Sequence, residues 1–379
     1  MKKHTAIFVT TFHDFMSTDQ QTIKTVTTSN SSFLSRSECN IMRGFAILFI
    51  IIDNITHLYS GVFMDSEFIY LSKSVKGFVN NLMHPDAMLP FNLISFYCPY
   101  GVMLFIFLSG YCLTLKYEKG NGRGTSCKAF IGNHYKKLFV MQLKGLALFL
   151  TVLFMFNPNE VIRNSIVLQF LLVGNLNPDW LCKPGPYWFF GMIMEMYVIY
   201  RLIIYNRKDW VAIALTVFSI GVMACFSPKS ATLNYLRVNC FLAILPFCMG
   251  VLAARHLKSN SFSLDKTGIC LAWFVLAFIL LTATKFNFYS WLIMPVFVIV
   301  TAVTLVKLFS KVKFFDTVFG WLGAMSGVLF VVHPTVREFL IDRMNDYGLY
   351  YGMLLVYLLI TFGLCLILKP AFTTKKNAN

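Results

Sequence analysis

Asp53 and His57 stand four residues apart in the run Arg43-Gly-Phe-Ala-Ile-Leu-Phe-Ile-Ile-Ile-Asp53-Asn54-Ile-Thr-His57. On a helix that spacing puts a carboxylate and an imidazole on one face. The carboxylate can hold one tautomer of the ring and raise its basicity, which is what a general base needs. The same two residues would also serve as a buried polar pair tying neighbouring helices together. His333, in Ser326-Gly-Val-Leu-Phe-Val-Val-His333-Pro334, and Glu195, in Tyr187-Trp188-Phe-Phe-Gly-Met-Ile-Met-Glu195, are further ionisable groups in apolar surroundings. At 1.5 Å per residue, His57 lies about 21 Å along its helix from Arg43, and His333 about 26 Å from Asp316. The two rings are therefore expected at similar depth, with Glu195 about 12 Å below the outer end of its own helix, so that all three face one outward cavity. Tyr187 and Trp188 suit either an aromatic belt or contact with a substrate. A last feature is the stretch 116–137, where Lys116, Lys119, Arg123, Lys128, Lys136 and Lys137 are interleaved with Gly120, Gly122 and Gly124. Cations beside glycines suit phosphates, although the stretch matches neither a P-loop nor a dinucleotide fingerprint.

The elements that position these groups follow from composition. The chain has 379 residues, 57% hydrophobic and 13% charged, with mean hydropathy +0.65. A soluble domain is about a quarter charged, so this is neither a soluble enzyme nor a disordered chain. Apolar runs occur near 43–62, 95–116, 137–157, 186–205, 209–227, 236–255, 267–285, 288–307, 317–339 and 348–368. Each approaches the roughly 20 residues that cross a bilayer, which predicts an all-α, polytopic membrane bundle of about ten transmembrane helices. A weaker run at 164–174 reads as interfacial. Residues 1–40 read as a polar N-terminal tail, 41–370 as one integral membrane domain and 371–379 as a C-terminal tail.

Lys and Arg number 33 against 17 Asp and Glu, a formal net charge of +16. In a soluble protein that excess would point to nucleic acid. With the N-terminus inside, however, the inner segments hold 23 of the 33 and the outer segments 9, with Lys144 inside the third span. Basic residues gather on the cytoplasmic side of membrane proteins. The charge therefore places both termini in the cytoplasm, removes nucleic acid as a partner and leaves the lipid bilayer. The ten cysteines form no CxxC and no ligand spacing, so they read as small buried residues and no metal is expected.

In these residues the sequence resembles the acyltransferase-3 family of integral membrane acyltransferases over roughly 40–370. The resemblance rests on Arg43-Gly-Phe-Ala-Ile-Leu, Gly101-Val through Phe105 to Leu108-Ser109-Gly110-Tyr111, and Lys136-Lys137. It continues in Tyr187-Trp188 through Glu195-Met-Tyr197 and in Leu322-Gly323 through Ser326 to His333-Pro334. It implies a ten-helix bundle of the plasma (inner) membrane of a bacterium. It further implies transfer of an acyl group, usually acetyl, from acyl-CoA to a hydroxyl of an envelope or secreted carbohydrate or glycolipid. The family pattern of an arginine, ten residues and a histidine lands on Asn54 here. His57 lies one turn further on nearly the same face, about 60° away.

The expected catalytic group is thus His57 with Asp53, with Glu195 and His333 positioning the acceptor. Acyl-CoA phosphates are expected on Arg43, Lys136, Lys137 and Arg123, and the acceptor on Trp188, Tyr187 and Asn54. Many relatives append an extracytoplasmic hydrolase-like domain. This chain ends soon after its last apolar run, so transfer is expected to finish in or beside the membrane domain. Intramembrane Asp, Glu and His also fit a proton-coupled transporter or export permease for a saccharide or lipid. A non-catalytic relative is a third reading, kept by Asn54. The sequence does not disclose the oligomeric state.

Overall fold

The computed structural model describes residues 32–156, 165–176, 184–344 and 348–372; most of the two expected tails lies outside them. Among the described residues every regular element is helical. In chain order these are α1 (Arg36–Thr56), α2 (Ser72–Met83), α3 (Leu89–Tyr97), α4 (Gly101–Thr114), α5 (Cys127–Phe156), α6 (Ser165–Phe170), α7 (Trp188–Ile199) and α8 (Asp209–Ala224). They continue with α9 (Ala231–Val238), α10 (Cys240–His256), α11 (Thr267–Thr284), α12 (Phe288–Leu292), α13 (Met294–Phe309), α14 (Lys313–Met344) and α15 (Tyr350–Phe372). Single π-helical turns, Leu115–Lys119 and Tyr200–Ile204, extend α4 and α7.

Among the described residues, seven helical stretches are long and apolar enough to cross a membrane. Counting α9 and α10 as one span bent by 43° makes eight, and α8 and α13 are apolar but only 16 residues long. The run expected to be interfacial folds as the six-residue α6 and a 3₁₀ turn, Gly174–Leu176, too short to span.

Backbone amides in hydrocarbon must be bonded within the helix, and the ends of these helices show how that is managed. The chain enters α1 through a capping box. The Glu38 N–H donates to Ser35 Oγ at 3.2 Å, and the Ser35 N–H donates to Glu38 Oε2 at 2.7 Å. Lys307 on α13 donates to Glu38 and to the Phe33 carbonyl, fixing that entry. Lys144, the cation inside the third span, donates to the Ala371 carbonyl in the last turn of α15, where helix carbonyls lack partners.

The middle of the bundle is α1, α4, α7, α10 and α14. In the apolar stretch of α1, 67% of residues are buried, against 22% in α11 and in α15, which are peripheral. Leu271, Ile279, Leu355, Leu359 and Ile367 on those two helices are exposed apolar side chains, as a lipid-facing belt requires.

α1 and α14 run side by side in the same direction, and small residues let them touch. A Cβ at Gly323 would overlap the Asn40 carbonyl oxygen, and one at Gly44 would overlap that of Phe319. Both glycines belong to the motifs that carry the family resemblance, and their role is close helix packing. Gly323→Ala should cost about 1–3 kcal/mol, as overpacking does. Gly363→Ala on α15, where a Cβ meets nothing within 4 Å, should cost nothing. Thermal unfolding in detergent separates the two, and equal melting temperatures would contradict this packing.

Candidate functional site

Two cavities lie along the α1–α14 pair, one at the Arg43 end and one at the His57 end.

The first, about 110 Å³, is lined by Arg43 on α1, Ser109 and Cys112 on α4, and Lys116 in the following π turn. His134 and Lys137 on α5, Tyr197 on α7 and Ser326 on α14 complete its polar lining. Its walls are otherwise apolar, with Phe105, Leu108, Met141, Phe189 and Phe330 among them. Arg43 is aimed by its own helix: Nη1 donates to Asn40 Oδ1, one turn earlier, at 3.1 Å. His134 is buried, its Nδ1 2.8 Å from the Phe130 carbonyl oxygen and its ring edge-on to Tyr197. Lys137 is three residues after His134, so the two share a face of α5. In sequence Lys137 pairs with Lys136. A step of one residue turns the helix by about 100°, and Lys136 is exposed outside the cavity. Arg123 also lies outside it, exposed, its Nε donating to the Glu118 carbonyl.

The second cavity, about 400 Å³, falls in the size range of small-molecule sites. Asp53, Asn54 and His57 from the end of α1 line it, with Asp65, Ser66 and Glu67 from the segment that follows. Trp188 from the start of α7 and Phe330, Arg337 and Glu338 from α14 close it. His57 Nδ1 lies 3.6 Å from Asp53 Oδ2. That orientation leaves Nε2 as the ring's second nitrogen, free to take a proton if Nδ1–H faces the carboxylate. Asp53 is buried and its other oxygen, Oδ1, has no hydrogen-bond partner, nor has His57 Nδ1 at this separation. Buried polar atoms without partners are costly, so their presence in a cavity wall points to a ligand. Asn54 takes no such part: its Oδ1 accepts from Arg337 Nη1 at 2.8 Å and holds the guanidinium in place.

The wall formed by the segment after α1 has no regular structure and is held by two buried cations from distant helices. Arg237 on α9, 1% exposed, donates to the carbonyls of Phe68 at 3.0 Å and Glu67 at 2.6 Å, and lies 3.9 Å over the Trp291 ring. Lys285, after α11, pairs with Asp65, which also accepts from Tyr100 Oη at 2.7 Å. Burial pushes the Glu67 carboxyl up to about 8, so at neutral pH it is protonated and can donate a hydrogen bond.

Besides Lys136 and Arg123, three more expected site residues lie elsewhere. Glu195 lines neither cavity; its Oε2 accepts from the Cys240 N–H at 2.8 Å, capping α10, and its Oε1 accepts from Asn175. Tyr187 is buried and donates to the Val331 carbonyl at 2.9 Å, tying α7 to α14. His333 is fully buried outside both cavities, with Nδ1 3.1 Å from the Leu329 carbonyl oxygen and Nε2 unpartnered. Its neighbour Pro334 has no N–H to give the Phe330 carbonyl, and the His333 ring lies 5.8 Å from the Phe330 ring.

The structure therefore joins Asp53, Asn54, His57 and Trp188 at one cavity and Arg43 and Lys137 at the other. It adds Lys116, His134 and Ser326 to the first, and Glu67, Arg337 and Glu338 to the second. A helical count could have found Arg337, which is seven residues, or two turns, from Phe330. Glu67 carries no local signal, since its position depends on Arg237.

The site is thus a cationic cavity at one end of the α1–α14 pair and an acid–histidine cavity at the other. The sequence model of the acyltransferase-3 family, described as an acyltransferase domain, matches residues 36–369. The chain belongs to that family, and is a multi-pass membrane protein of the acyltransferase class. No curated protein and no solved structure matches it significantly.

Proposed function

We propose that the chain carries an acyl group, acetyl in the simplest case, from acyl-CoA at the cytoplasmic face to a hydroxyl of an envelope or secreted carbohydrate or glycolipid at the opposite face. The observation that carries this reading is the placement of the two cavities on the same pair of helices. Arg43 and His57 share α1 and lie about 21 Å apart along it, which suits a donor and an acceptor held on opposite sides of a bilayer.

In the first cavity Arg43, Lys116 and Lys137 meet the CoA phosphates, the guanidinium as a bidentate partner and the ammonium groups as point charges. The apolar walls above them accept the acyl arm. In the second, the acceptor sugar stacks on Trp188 and bonds to Arg337 and Glu67. His57 Nε2 takes the hydroxyl proton while the oxygen attacks the thioester carbonyl. The C–O bond forms, the C–S bond breaks, and the CoA thiolate recovers the proton from the imidazolium. Asp53 holds the ring and stabilises its charged form.

The frame proposed for this chemistry is ten crossings with both termini cytoplasmic, in a bacterial inner membrane. α8, α13 and the bent α9–α10 pair supply the three crossings beyond the seven long ones, and the excess of Lys and Arg in the segments at the Arg43 end supports the orientation.

Incubation of membranes containing the protein with radiolabelled acetyl-CoA tests the function. Label should pass to saccharide and be released by mild alkali as an ester. Saccharide movement across the membrane without any labelled product would instead favour an export permease.

A further inference from the structure

Of the described residues, Phe330 alone lines both cavities. One turn before it on α14, Ser326 and Gly327 face the first cavity; two turns after it, Arg337 faces the second. Its ring sits in an aromatic layer, 5.3 Å from Phe189 and 5.5 Å from Phe190, and Phe189 in turn lies 6.4 Å from Phe105. The backbone adds a second observation. Pro334 stands four residues on, so the Phe330 carbonyl lacks its helical N–H partner. α14 runs on as one helix through this point, so a single carbonyl is left without its N–H, the kind of site at which membrane helices can bend.

We infer that Phe330 is the barrier between the donor and acceptor cavities, and that its bulk sets both the length of acyl group carried and the exclusion of water from the thioester. The inference rests on the function proposed above for what crosses the barrier, but the barrier itself does not depend on it. With the ring in place, the space above Ser326 and Gly327 ends on an aromatic edge and admits a short acyl chain. With the ring removed, the two cavities become one passage. Water from the acceptor side then reaches the thioester; its oxygen bonds to the acyl carbon, the C–S bond breaks, and CoA thiol and a carboxylic acid leave.

Cys112, whose thiol lines the first cavity, reports the barrier without any transfer. A membrane-impermeant methanethiosulfonate is added to right-side-out or inside-out vesicles, and Cys112 labelling is read by peptide mass spectrometry. In the parent, Cys112 should react from one side only; in Phe330→Ala it should react from both. Phe330→Leu should lie between them, and serves should the Ala protein fail to fold. Reaction from both sides in the parent, or an unchanged pattern in the folded variants, overturns the inference. In the same vesicles, Phe330→Ala should release CoA from acetyl-CoA without acceptor. It should also raise the preference for butyryl over acetyl by about tenfold or more, the scale on which apolar pockets sense a methylene group. A parent with no acyl transfer at all would overturn the proposed function, while the labelling result would still judge the barrier.

Discussion

Replacing His57 by Ala is expected to slow acyl transfer by about 10²–10⁴-fold, the span that general-base assistance supplies, while binding of acyl-CoA stays unchanged. His57 lines the 400 Å³ cavity at the end of α1, and its Nδ1 lacks a bonded partner at the observed distance. Loss of the ring should therefore leave membrane insertion and melting temperature near those of the parent. The cavity also has room for a free imidazole, so added imidazole should restore part of the His57→Ala rate and none of the rate of a misfolded variant. Asp53→Asn keeps the shape but loses the charge that stabilises the imidazolium, and should fall between the parent and His57→Ala. A folded His57→Ala protein as fast as the parent would remove the base assigned here.

The second large effect is expected at the other end. Arg43→Ala and Lys137→Ala each remove one charge-assisted contact to CoA, worth about 1.5–3 kcal/mol. At 1.4 kcal/mol per tenfold, each should raise the KM for acyl-CoA by about 10–100-fold with little change in kcat. Lys136→Ala is the internal control. It carries the same charge one residue away, but outside the cavity, and long exposed side chains contribute little. A shift of less than about twofold is expected there. If Lys136→Ala and Lys137→Ala raised KM equally, binding would depend on the field of the whole basic stretch and not on this cavity.

These pairs also show what could be read from the chain before it was folded. The apolar runs are visible because a bilayer demands about twenty uncharged residues at a time, and each overlaps an observed helix, although α1 begins at Arg36 and α5 at Cys127, well before the runs near 43–62 and 137–157. Asp53 with His57 was legible because an i, i+4 pair is a local feature of one helix. Arg43 was legible for the same reason: it lies at a fixed rise below them. The choice between Lys136 and Lys137 was not, because hydropathy does not say which face of α5 meets the bundle. Glu195 looked like chemistry in sequence, yet it caps α10 from 45 residues away, a pairing with no local pattern. The wall of the second cavity was hidden for the same reason, since Arg237 reaches back 170 residues to hold the Glu67 carbonyl. His333 and Pro334 carried a family motif that suggested a site. In the folded chain His333 is buried outside both cavities and Pro334 sits within the continuous helix α14.

The most direct test of transfer across the bilayer uses purified protein in liposomes, with labelled acetyl-CoA supplied on one side and a saccharide acceptor confined to the other. Orientation is scored from the accessibility of an epitope tag fused to the N-terminus. Labelled ester is expected on the trapped acceptor only when acetyl-CoA is on the side of the Arg43 cavity, and none from His57→Ala. Equal labelling with acetyl-CoA and acceptor on the same side alone, or labelling from the His57 side, would contradict it.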